Sequence, residues 1–469
     1  MISRIARKEL TETLRDGRFR LLAAVVLMLA VGSVAAGWKH YHDVQRQHEE
    51  ARRSTRSQWL NQPAKNPHSA AHYGVYAFKP KSRLSIVDTG IDPYVGVAAW
   101  LEAHKQNEFK YRPAQDRTAL QRFGDLTAAE GFLVLLPLFI VLVTFNAFSG
   151  EREQGTLRQL MSLGVRPHDL LAGKALGVAA ALALVLVPAT AAGVVGLALT
   201  SEFGALGQDL PRAVTLGAVY LVYFATLVAI GLGVSLRARS SRAALLVLLA
   251  FWFVNSVVAT RAAADVAAAL YPTPSAVAFQ AALEQDLADQ RSVEEKLQQH
   301  RQALMRRYNV TSMEAVPVNF SGISLQEGEE HGNEVFDRHF GQLAATYNRQ
   351  NAIREWAGLV APMLPARALS MSLAGTDLAH HQSFVTAAES HRRMMQRVLN
   401  QDIVEHARPG EVYLAGAELW NRVPDFDYEA PGVGWALGQT RVSLALTIAW
   451  LIAALVFAGR ATRRLAGVE

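Results

Sequence analysis

The sequence predicts an α-helical polytopic membrane protein with six transmembrane helices and a mainly α, partly β extracytoplasmic domain built from two long insertions. Two observations predict this fold class. Hydrophobic residues make up 51% of the 469-residue chain, and they are concentrated in long uncharged runs instead of recurring at the period of a surface helix or strand. Long, strongly charged segments alternate with those runs, which excludes a single large soluble domain and a polytopic protein with only short loops.

A membrane span needs roughly 20 consecutive apolar residues, because the hydrocarbon core is about 30 Å thick and a helix rises about 1.5 Å per residue. The first predicted span has the basic flank of a signal peptide. However, Trp38 and Lys39 directly follow its small residues and five further spans come after it, so we expect an uncleaved anchor. The six uncharged segments that meet or nearly meet the required length are residues 21–38, 131–150, 175–200, 213–236, 243–260 and 442–459.

Basic residues cluster in four segments outside the spans, namely residues 1–20, 151–174, 237–242 and 460–469. With six spans, all four lie on the same side of the membrane, and the positive-inside bias makes that side cytoplasmic. We therefore expect a bacterial inner-membrane protein with both termini in the cytoplasm. The pI near 9.5 then reflects topology and gives no support for nucleic-acid binding.

The two long insertions, residues 39–130 and 261–441, fall on the opposite, periplasmic side in this map. The first begins with a charged stretch up to Leu60 that is expected to continue the first span as a helix. The second has helical periodicity at residues 275–308 and 384–406. Between these two patterns, residues 310–325 are β-branched and rich in turn residues, which predicts some strand there.

No nucleotide site is recognisable in the sequence. Gly173 and Lys174 resemble the end of a phosphate-binding loop, but His168 occupies the position of the loop's first glycine. Ala175 replaces the Ser or Thr that would hold Mg²⁺. We therefore expect the chain to bind no ATP through a phosphate loop of its own.

Histidines are the remaining candidates for a metal or catalytic site, since the chain has 14 of them and no cysteine. The densest group is His380 and His381, with His391 or His406. Adjacent residues on a helix point about 100° apart, so the first two cannot easily bind one ion, and no HExxH pattern is present. We interpret these histidines as structural or solvated, and we predict no metal site and no catalytic residues.

The polar residues within the spans are few, chiefly Asn146, Thr190, Thr226 and Asn255, with Pro188 as an expected kink. Ion-coupled carriers place an ionisable group near the middle of the membrane, and no predicted span contains one. We interpret these amides and hydroxyls as contacts that hold helices together.

The segment before the first span has apolar residues at helical spacing with cations on the opposite face. This pattern is typical of an amphipathic helix lying in the membrane interface, although an ordinary basic leader would fit it equally well. Its apolar residues are Ile2, Ile5, Ala6, Leu10 and Leu14.

Residues 151–174, here called the coupling segment, form the most specific cytoplasmic pattern. Two acidic residues and a flexible Gly-Thr precede Leu157, Leu160, Met161 and Leu163. The spacing predicts a short helix whose leucines face the cytosol. Such a face requires a partner surface or the lipid headgroup layer to cover it.

The coupling segment resembles the coupling-helix region of type 2 ABC exporter permeases, the ABC-2 family. The resemblance rests on Glu151-Arg-Glu-x-Gly-Thr-Leu-Arg-x-Leu followed by Ser162-x-Gly-Val-x-x-x-x-Leu-x-x-Gly173-Lys174. Further motifs resemble the ABC-2 subgroup with a DUF3526 domain. These are His72-Tyr-Gly-x-Tyr-Ala-Phe-Lys-Pro80, Asp92-Pro-Tyr-x-Gly96, Trp100-Leu-Glu-Ala-His104, and Ala374-Gly-Thr-Asp377 with His380-His381.

The resemblance implies six spans in the arrangement of type V exporters, an amphipathic elbow helix before the first span, and a dimer that is either a homodimer or a paired heterodimer. It also implies two copies of a separate cytosolic ATPase that bind ATP and Mg²⁺, so the chain itself is expected to be neither an enzyme nor the holder of a cofactor. The residues expected to contact the ATPase are Glu151, Arg152, Glu153, Gly155, Thr156, Leu157, Leu160, Leu163, Gly164 and Val165.

The expected function is that of a permease subunit, surrounded by membrane lipid, that couples the partner's ATP hydrolysis to export or extraction of an unidentified substrate. The alternative is a mechanical relay, in which ATPase movement reaches the periplasmic domain and acts on a periplasmic protein. A membrane hydrolase would require a catalytic constellation that the sequence does not show.

Overall fold

The computed structural model describes residues 1–107, 110, 112, 127–200, 206–408 and 411–463. The chain starts with two helices, α1 (Ile2–Arg15) and α2 (Gly17–Leu60). Asp16 separates them: its extended backbone breaks the helix and its side chain accepts a hydrogen bond from the Arg18 N–H at 2.8 Å. The expectation that the charged stretch up to Leu60 continues the first span is confirmed, because the 44 residues of α2 form one helix.

The first insertion contains a small three-stranded antiparallel sheet, whose strands pair in the order in which they follow along the chain. Val75 lies opposite Leu101, and Leu101 lies opposite Gln106. His104, in the turn between the last two strands, has a φ of +61°, which non-glycine residues rarely adopt. The elements of this insertion are α3 (Pro67–Tyr73), β1 (Val75–Phe78), a 3₁₀ turn (Arg83–Ile86), β2 (Ala98–Glu102) and β3 (Lys105–Gln106).

The middle of the chain is a series of apolar helices, in which π turns interrupt the second and fifth spans at Gly131–Leu135 and Val254–Val258. The helices are α4 (Ala128–Glu130), α5 (Leu136–Thr144), α6 (Ser149–Glu153), α7 (Thr156–Ser162), α8 (Pro167–Thr200), α9 (Leu206–Arg237), α10 (Ser241–Phe253) and α11 (Ala259–Leu270).

The second insertion is helical in the residues that the structure describes, and the last span follows it. The helices are α12 (Ala276–Leu287), α13 (Arg291–Tyr308), α14 (Phe320–Trp356), α15 (Met363–Ala374), α16 (Leu378–His406), α17 (Ala417–Arg422), α18 (Val433–Gln439) and α19 (Arg441–Ala461).

The prediction of a strand within residues 310–325 is wrong. Met313–Ala315 form a 3₁₀ turn, and α14 begins at Phe320. Asn319 caps this helix by accepting a hydrogen bond from the Ser321 N–H at 2.9 Å, so the local sequence starts a helix where the β-branched residues suggested a strand. In the described part of the chain, the strands belong to the first insertion.

Within the described residues, six helical segments are long and apolar enough to cross a membrane, and each contains one of the six predicted spans. They are 17–60, 128–153, 167–200, 209–237, 241–270 and 441–461. Residues 464–469 of the basic tail, which the sequence analysis placed in the cytoplasm, lie outside the described residues.

The two insertions pack together into one body, here called the head, around the far end of α2. The Trp59 indole N–H donates to the Trp420 carbonyl oxygen at 2.9 Å, and both rings are fully buried. Since α2 begins beside α1 and ends in the head, α1 and the head lie at opposite ends of the helical bundle. We call these the α1 end and the head end.

Helix α15 joins the head to the spans, which the sequence analysis did not anticipate. Its residues Met363, Ala366, Leu369 and Leu373 are buried in the same core as the apolar residues of α5 and α9. With 12 residues it is too short to be recognised as a span.

Candidate functional site

The coupling segment lies at the α1 end, where two left-handed glycines bound the short helix α7. Gly155 precedes the helix with a φ of +76°, and Gly164 follows it with a φ of +74°. The Gly164 N–H donates to the Met161 carbonyl and the Val165 N–H to the Leu160 carbonyl, which satisfies the last helical carbonyls. Because residues with a Cβ rarely adopt this φ, the two glycines fix both ends of α7.

Glu151 connects the coupling segment to α1 and to the third span. Its carboxylate lies 3.1 Å from the Lys174 ammonium and 3.1 Å from that of Lys8. Lys174 also lies 2.7 Å from the Glu9 carboxylate and is only 2% exposed. Burial raises the pKa of the Glu9 carboxyl above its ordinary value, and the Lys174 cation opposes that shift. Three separate elements are therefore held by one buried charge cluster.

The next two residues of the motif hold the turn between the fourth and fifth spans. The Arg152 guanidinium donates to the carbonyls of Leu236 at 2.8 Å and Ala238 at 2.5 Å. The Glu153 carboxylate accepts from the Ser241 N–H at 2.9 Å and from its hydroxyl at 2.7 Å. The Glu-Arg-Glu motif thus links α6 to α1, to α8 and to the start of α10.

Small residues on the third span allow α1 to pack closely against it. A Cβ added at Gly173 would lie 2.6 Å from the Ile5 Cβ, and one at Gly177 would lie 2.6 Å from the Glu9 Cβ. Residues before the first span do form a helix, α1, and its location in the membrane interface stays a prediction. Gly173 and Lys174, which resemble a phosphate loop in sequence, instead lie inside α8 and serve this helix contact.

The interpretation that the leucines of the coupling segment share one exposed face is wrong for Leu157. This side chain is 5% exposed and belongs to the chain's own core, and Leu160 packs partly buried against that core. Leu163 alone of the three is prominent at the surface, with 77% of its area exposed. The 3.6-residue period places Leu157 and Leu160 on one face of α7, and this face packs against the chain's own core.

Of the predicted ATPase contacts, Glu153, Gly155, Leu163 and Gly164 are exposed, whereas the others are buried or half-buried. The structure adds three exposed polar residues on α7 that the sequence analysis did not select. They are Arg158, Gln159 and Ser162, and their spacing of three, four and seven residues from Gly155 was a signal that they share its face. Contact of this face with an ATPase stays a prediction.

Two of the polar residues named within the spans, Asn255 and Thr226, form hydrogen bonds within the protein. The Asn255 amide donates to the Tyr223 hydroxyl at 3.2 Å and accepts from the Met363 N–H at 3.0 Å, so it joins the fourth span, the fifth span and α15 as expected. The Thr226 hydroxyl, in contrast, donates to the Val222 carbonyl of its own helix.

A cavity of about 660 Å³ with a mainly apolar lining lies between the third, fourth and sixth spans. Residues that line it include Leu176, Leu186, Phe224, Ala225, Val228 and Leu455.

The histidines that are densest in sequence do not converge in space. His380 is buried, with Nδ1 2.6 Å from Asp377 and Nε2 3.2 Å from the Arg212 guanidinium. His391 packs instead against Phe426, and His406 lies beside Asp402. The histidine nitrogens that the structure brings together belong to His68, His72 and His104, which the sequence analysis did not group.

The other subgroup motifs meet at the base of the head. Lys79 and Asp92 form a buried ion pair at 2.6 Å. Gly90, with a φ of +47°, packs so closely on Thr376 that a Cβ there would overlap the Thr376 carbonyl. The Ile91 N–H donates to that carbonyl at 2.9 Å. The residues just before the Asp92 motif therefore contact the Ala374–Asp377 motif across the two insertions.

Comparison with family models gave two matches. Residues 98–255 match the ABC-2 family transporter protein, a segment that runs from β2 into the fifth span and includes the whole coupling segment. Residues 276–429 match a domain of unknown function, DUF3526, which covers the second insertion from α12 to the loop before α18. A comparison with curated proteins gave no match. The two matches confirm the resemblance that the motifs indicated: one segment of the chain is similar to ABC-2 family transporter proteins and a second is similar to DUF3526.

Proposed function

We propose that the chain is the permease subunit of a bacterial inner-membrane ABC transporter, in which a separate cytosolic ATPase drives export or extraction of a substrate. One observation carries this proposal. The Glu151, Arg152 and Glu153 side chains tie α6 to α1, to the third span and to the turn between the fourth and fifth spans. A force applied to α7 would therefore act on several membrane helices at once, as coupling to a motor requires.

The docking surface in this proposal is the exposed face of α7, with Arg158, Gln159 and Ser162 beside Leu163. A complementary ATPase surface would have one apolar pocket for Leu163 and an acidic group for Arg158. Two ATPase subunits would bind ATP and Mg²⁺, and two permease chains, identical or paired, would form the membrane dimer. The purified chain by itself is then expected to hydrolyse no ATP.

Co-purification with the ATPase tests the docking surface. Burying a leucine stabilises a complex by about 1.5–3 kcal/mol, so Leu163→Asp should weaken ATPase binding by at least about tenfold. Adding Arg158→Glu to Leu163→Asp should weaken ATPase binding further. Leu414→Asp in the head is the matched control, because Leu414 is also exposed and lies at the opposite end of the bundle. Undiminished ATPase recovery with the Leu163→Asp, Arg158→Glu double variant would refute the docking model.

Leu160→Asp is a poor test of docking, since Leu160 packs against the chain's own core. Any loss of ATPase with that variant could come from a disrupted permease. Leu163 avoids this ambiguity because its side chain is exposed.

The apolar lining of the cavity between the third, fourth and sixth spans supports an apolar or amphiphilic substrate that enters from the membrane. Its volume of about 660 Å³ lies within the range of ligand sites, and its named lining residues carry no charge. Replacing Ala225 with Trp would narrow the cavity, and it should reduce the stimulation of ATPase activity by lipid extracts while leaving the basal rate of the assembled complex. Unchanged stimulation would contradict the assignment.

A mechanical relay is the second candidate, and the continuity of α2 favours it. This helix runs without interruption from beside α1 to its contact with Trp420 in the head. Gln47→Pro would interrupt α2 beyond the membrane and should disable a relay, because proline breaks a helix interior. An exporter whose substrate path lies among the spans should keep transporting.

A further inference from the structure

Three histidines from two separate elements of the head converge. His68 and His72 lie one turn apart on α3, so both point from the same face of that helix. His104 reaches them from the turn between β2 and β3. One ring nitrogen of each histidine lies within 4.8 Å of the others, and the ring centroids form a nearly equilateral triangle with sides of 4.9, 4.9 and 5.0 Å.

Acceptor groups from the second insertion orient two of these rings. His104 Nδ1 lies 2.7 Å from Glu329 Oε1, and Glu329 is almost fully buried. His68 Nδ1 lies 3.3 Å from Asn400 Oδ1, and the amide nitrogen of Asn400 donates to the Gln326 side-chain oxygen at 3.1 Å. A carboxylate and an amide oxygen only accept hydrogen bonds, so both Nδ1 atoms carry the proton.

When both rings are neutral with the proton on Nδ1, the two Nε2 atoms carry lone pairs, and these atoms lie 3.0 Å apart. Two neutral imidazoles in this arrangement repel one another unless a cation lies between them. Ligand nitrogens bound to Zn²⁺ at about 2.0–2.1 Å in tetrahedral geometry are about 3.3 Å apart. The His68–His104 separation is therefore close to what a shared metal ion requires, with His72 as the third ligand.

The backbone conformation of His104 is stabilised by the same carboxylate that orients its ring. Its φ of +61° is unfavourable for a residue with a Cβ. Glu329 holds it there, because the carboxylate accepts both the His104 backbone N–H at 3.1 Å and the ring Nδ1–H. Gln396 in turn donates to Glu329 at 2.5 Å. Carboxylates that orient metal-binding histidines in this way are a regular feature of zinc sites.

We propose that His68, His72 and His104 form a transition-metal site that binds Zn²⁺ through three imidazole nitrogens, with Glu329 and Asn400 as its orienting groups. An all-imidazole donor set suits Zn²⁺ and excludes Mg²⁺ and Ca²⁺, which prefer oxygen. Three protein ligands leave a fourth position, and the exposed edges of His72 and His104 open it to solvent. The metal would fasten α3 and the β2–β3 turn together, while the orienting groups bring in the second insertion. The site is independent of the function proposed above.

Zinc binding to the full chain, purified in detergent without a histidine tag and stripped with EDTA, tests the proposal. Dialysis against Zn²⁺ followed by elemental analysis should give about one ion per chain, and Co²⁺ should give the visible absorption of a four-coordinate site. His68→Gln with His104→Gln should abolish both signals. Glu329→Gln should weaken Zn²⁺ affinity by about 10–100-fold while the ligands remain.

His300→Gln is the matched control, because His300 is an exposed histidine of the head that is paired with Glu327 outside the cluster. This variant should bind Zn²⁺ like the unmodified chain. If the unmodified chain binds no stoichiometric Zn²⁺, the Nε2 atoms of His68 and His104 share a proton instead of a metal ion, and the proposal fails. Equal Zn²⁺ content in the double histidine variant would likewise overturn it, and the spectrum of Co²⁺ in the unmodified chain decides the matter even if a variant fails to fold.

Discussion

Lys174 Nζ lies 2.7 Å from Glu9 Oε2, so that an ion pair with both partners almost completely buried joins α1 to the third span. The Glu151 carboxylate lies 3.1 Å from the same ammonium group. Lys174 therefore separates two carboxylates that would otherwise repel each other. Its removal leaves more uncompensated charge than the removal of either acid.

Lys174→Met should destabilise the purified chain by about 3–5 kcal/mol, because it leaves the buried Glu9 carboxylate without its cation and Glu151 with only the half-exposed Lys8. Glu9→Gln should cost less, since glutamine still accepts a hydrogen bond from Lys174 and Glu151 remains as the counter-charge. Arg166→Ala is the control. Arg166 forms an ion pair with Asp169, and the Arg166 side chain is 80% exposed, so loss of this pair should cost at most about 1 kcal/mol. Thermal unfolding in one detergent gives the ranking. Equal melting temperatures for the Lys174 and Arg166 variants would contradict it.

Gly177→Ala should separate α1 from the third span, because the added Cβ would lie 2.6 Å from the Glu9 Cβ and 2.9 Å from the Ala6 carbonyl oxygen. Overpacking of this kind costs about 1–3 kcal/mol. The displaced α1, which is rich in Arg and Lys, should be cut faster by trypsin. Gly193→Ala on the same helix is the control, since nothing lies within 4 Å of its added Cβ. Equal cleavage rates in the two variants would show that α1 does not depend on the close approach.

The topology is testable with single cysteines, because the natural chain has none. If the head is periplasmic and the α1 end cytoplasmic, cysteines at the exposed positions Ala64 and Ala345 should react with an impermeant maleimide in cells with an intact inner membrane. A cysteine at the exposed Gln159 should react only after that membrane is permeabilised. The reverse labelling pattern would show that the head is cytoplasmic and the α1 end periplasmic. Asn333 is unsuitable as a labelling site, since it is 3% exposed and bonded to Arg392.

Acid should destabilise the head through His381. Burial lowers the pKa of this imidazole from 6.5 to about 4, with the Lys79 cation adding to the effect and Asp92 opposing it. A histidine whose pKa is lower in the folded state than in the unfolded chain stabilises the fold fully at pH values above its unfolded pKa. This contribution to the free energy of unfolding is lost as the pH falls from 6.5 towards 4. The free energy of unfolding should fall by about 1.4 kcal/mol per pH unit in that window, to a total of about 3 kcal/mol.

His381→Gln should remove this part of the pH dependence when unfolding is followed between pH 4 and pH 7. His300→Gln, which replaces an exposed histidine, should leave the pH dependence of the free energy of unfolding unchanged. Parallel stability curves for the His381 variant and the unmodified chain would show that another group is responsible.

The spans could be predicted because crossing a membrane imposes a length and a composition that six segments satisfy. Local chemistry was also sufficient for α1 and for the continuation of α2. The orientation of α7 was not predictable, because Leu157 could be covered equally well by a partner or by the chain itself. Helix α15 escaped notice because its burial depends on neighbours from α5 and α9.

The histidine cluster shows the same limit more strongly. His68 and His104 are far apart in sequence, and their orienting partners Glu329 and Asn400 come from the other insertion. Sequence proximity pointed instead to His380 and His381, whose rings the structure directs to different neighbours. Convergence of distant segments is a property of tertiary packing, and a single sequence does not display it.

Helix α2 also gives the molecule a long lever arm. Its 44 residues extend about 66 Å. If α2 stays straight and pivots by about 5° where it meets α1, its end at Leu60 sweeps through about 6 Å, slightly more than the pitch of one helical turn. A small tilt imposed beside the coupling segment is thereby amplified into a displacement in the head that is large enough to shift the packing of whole side chains around Trp420.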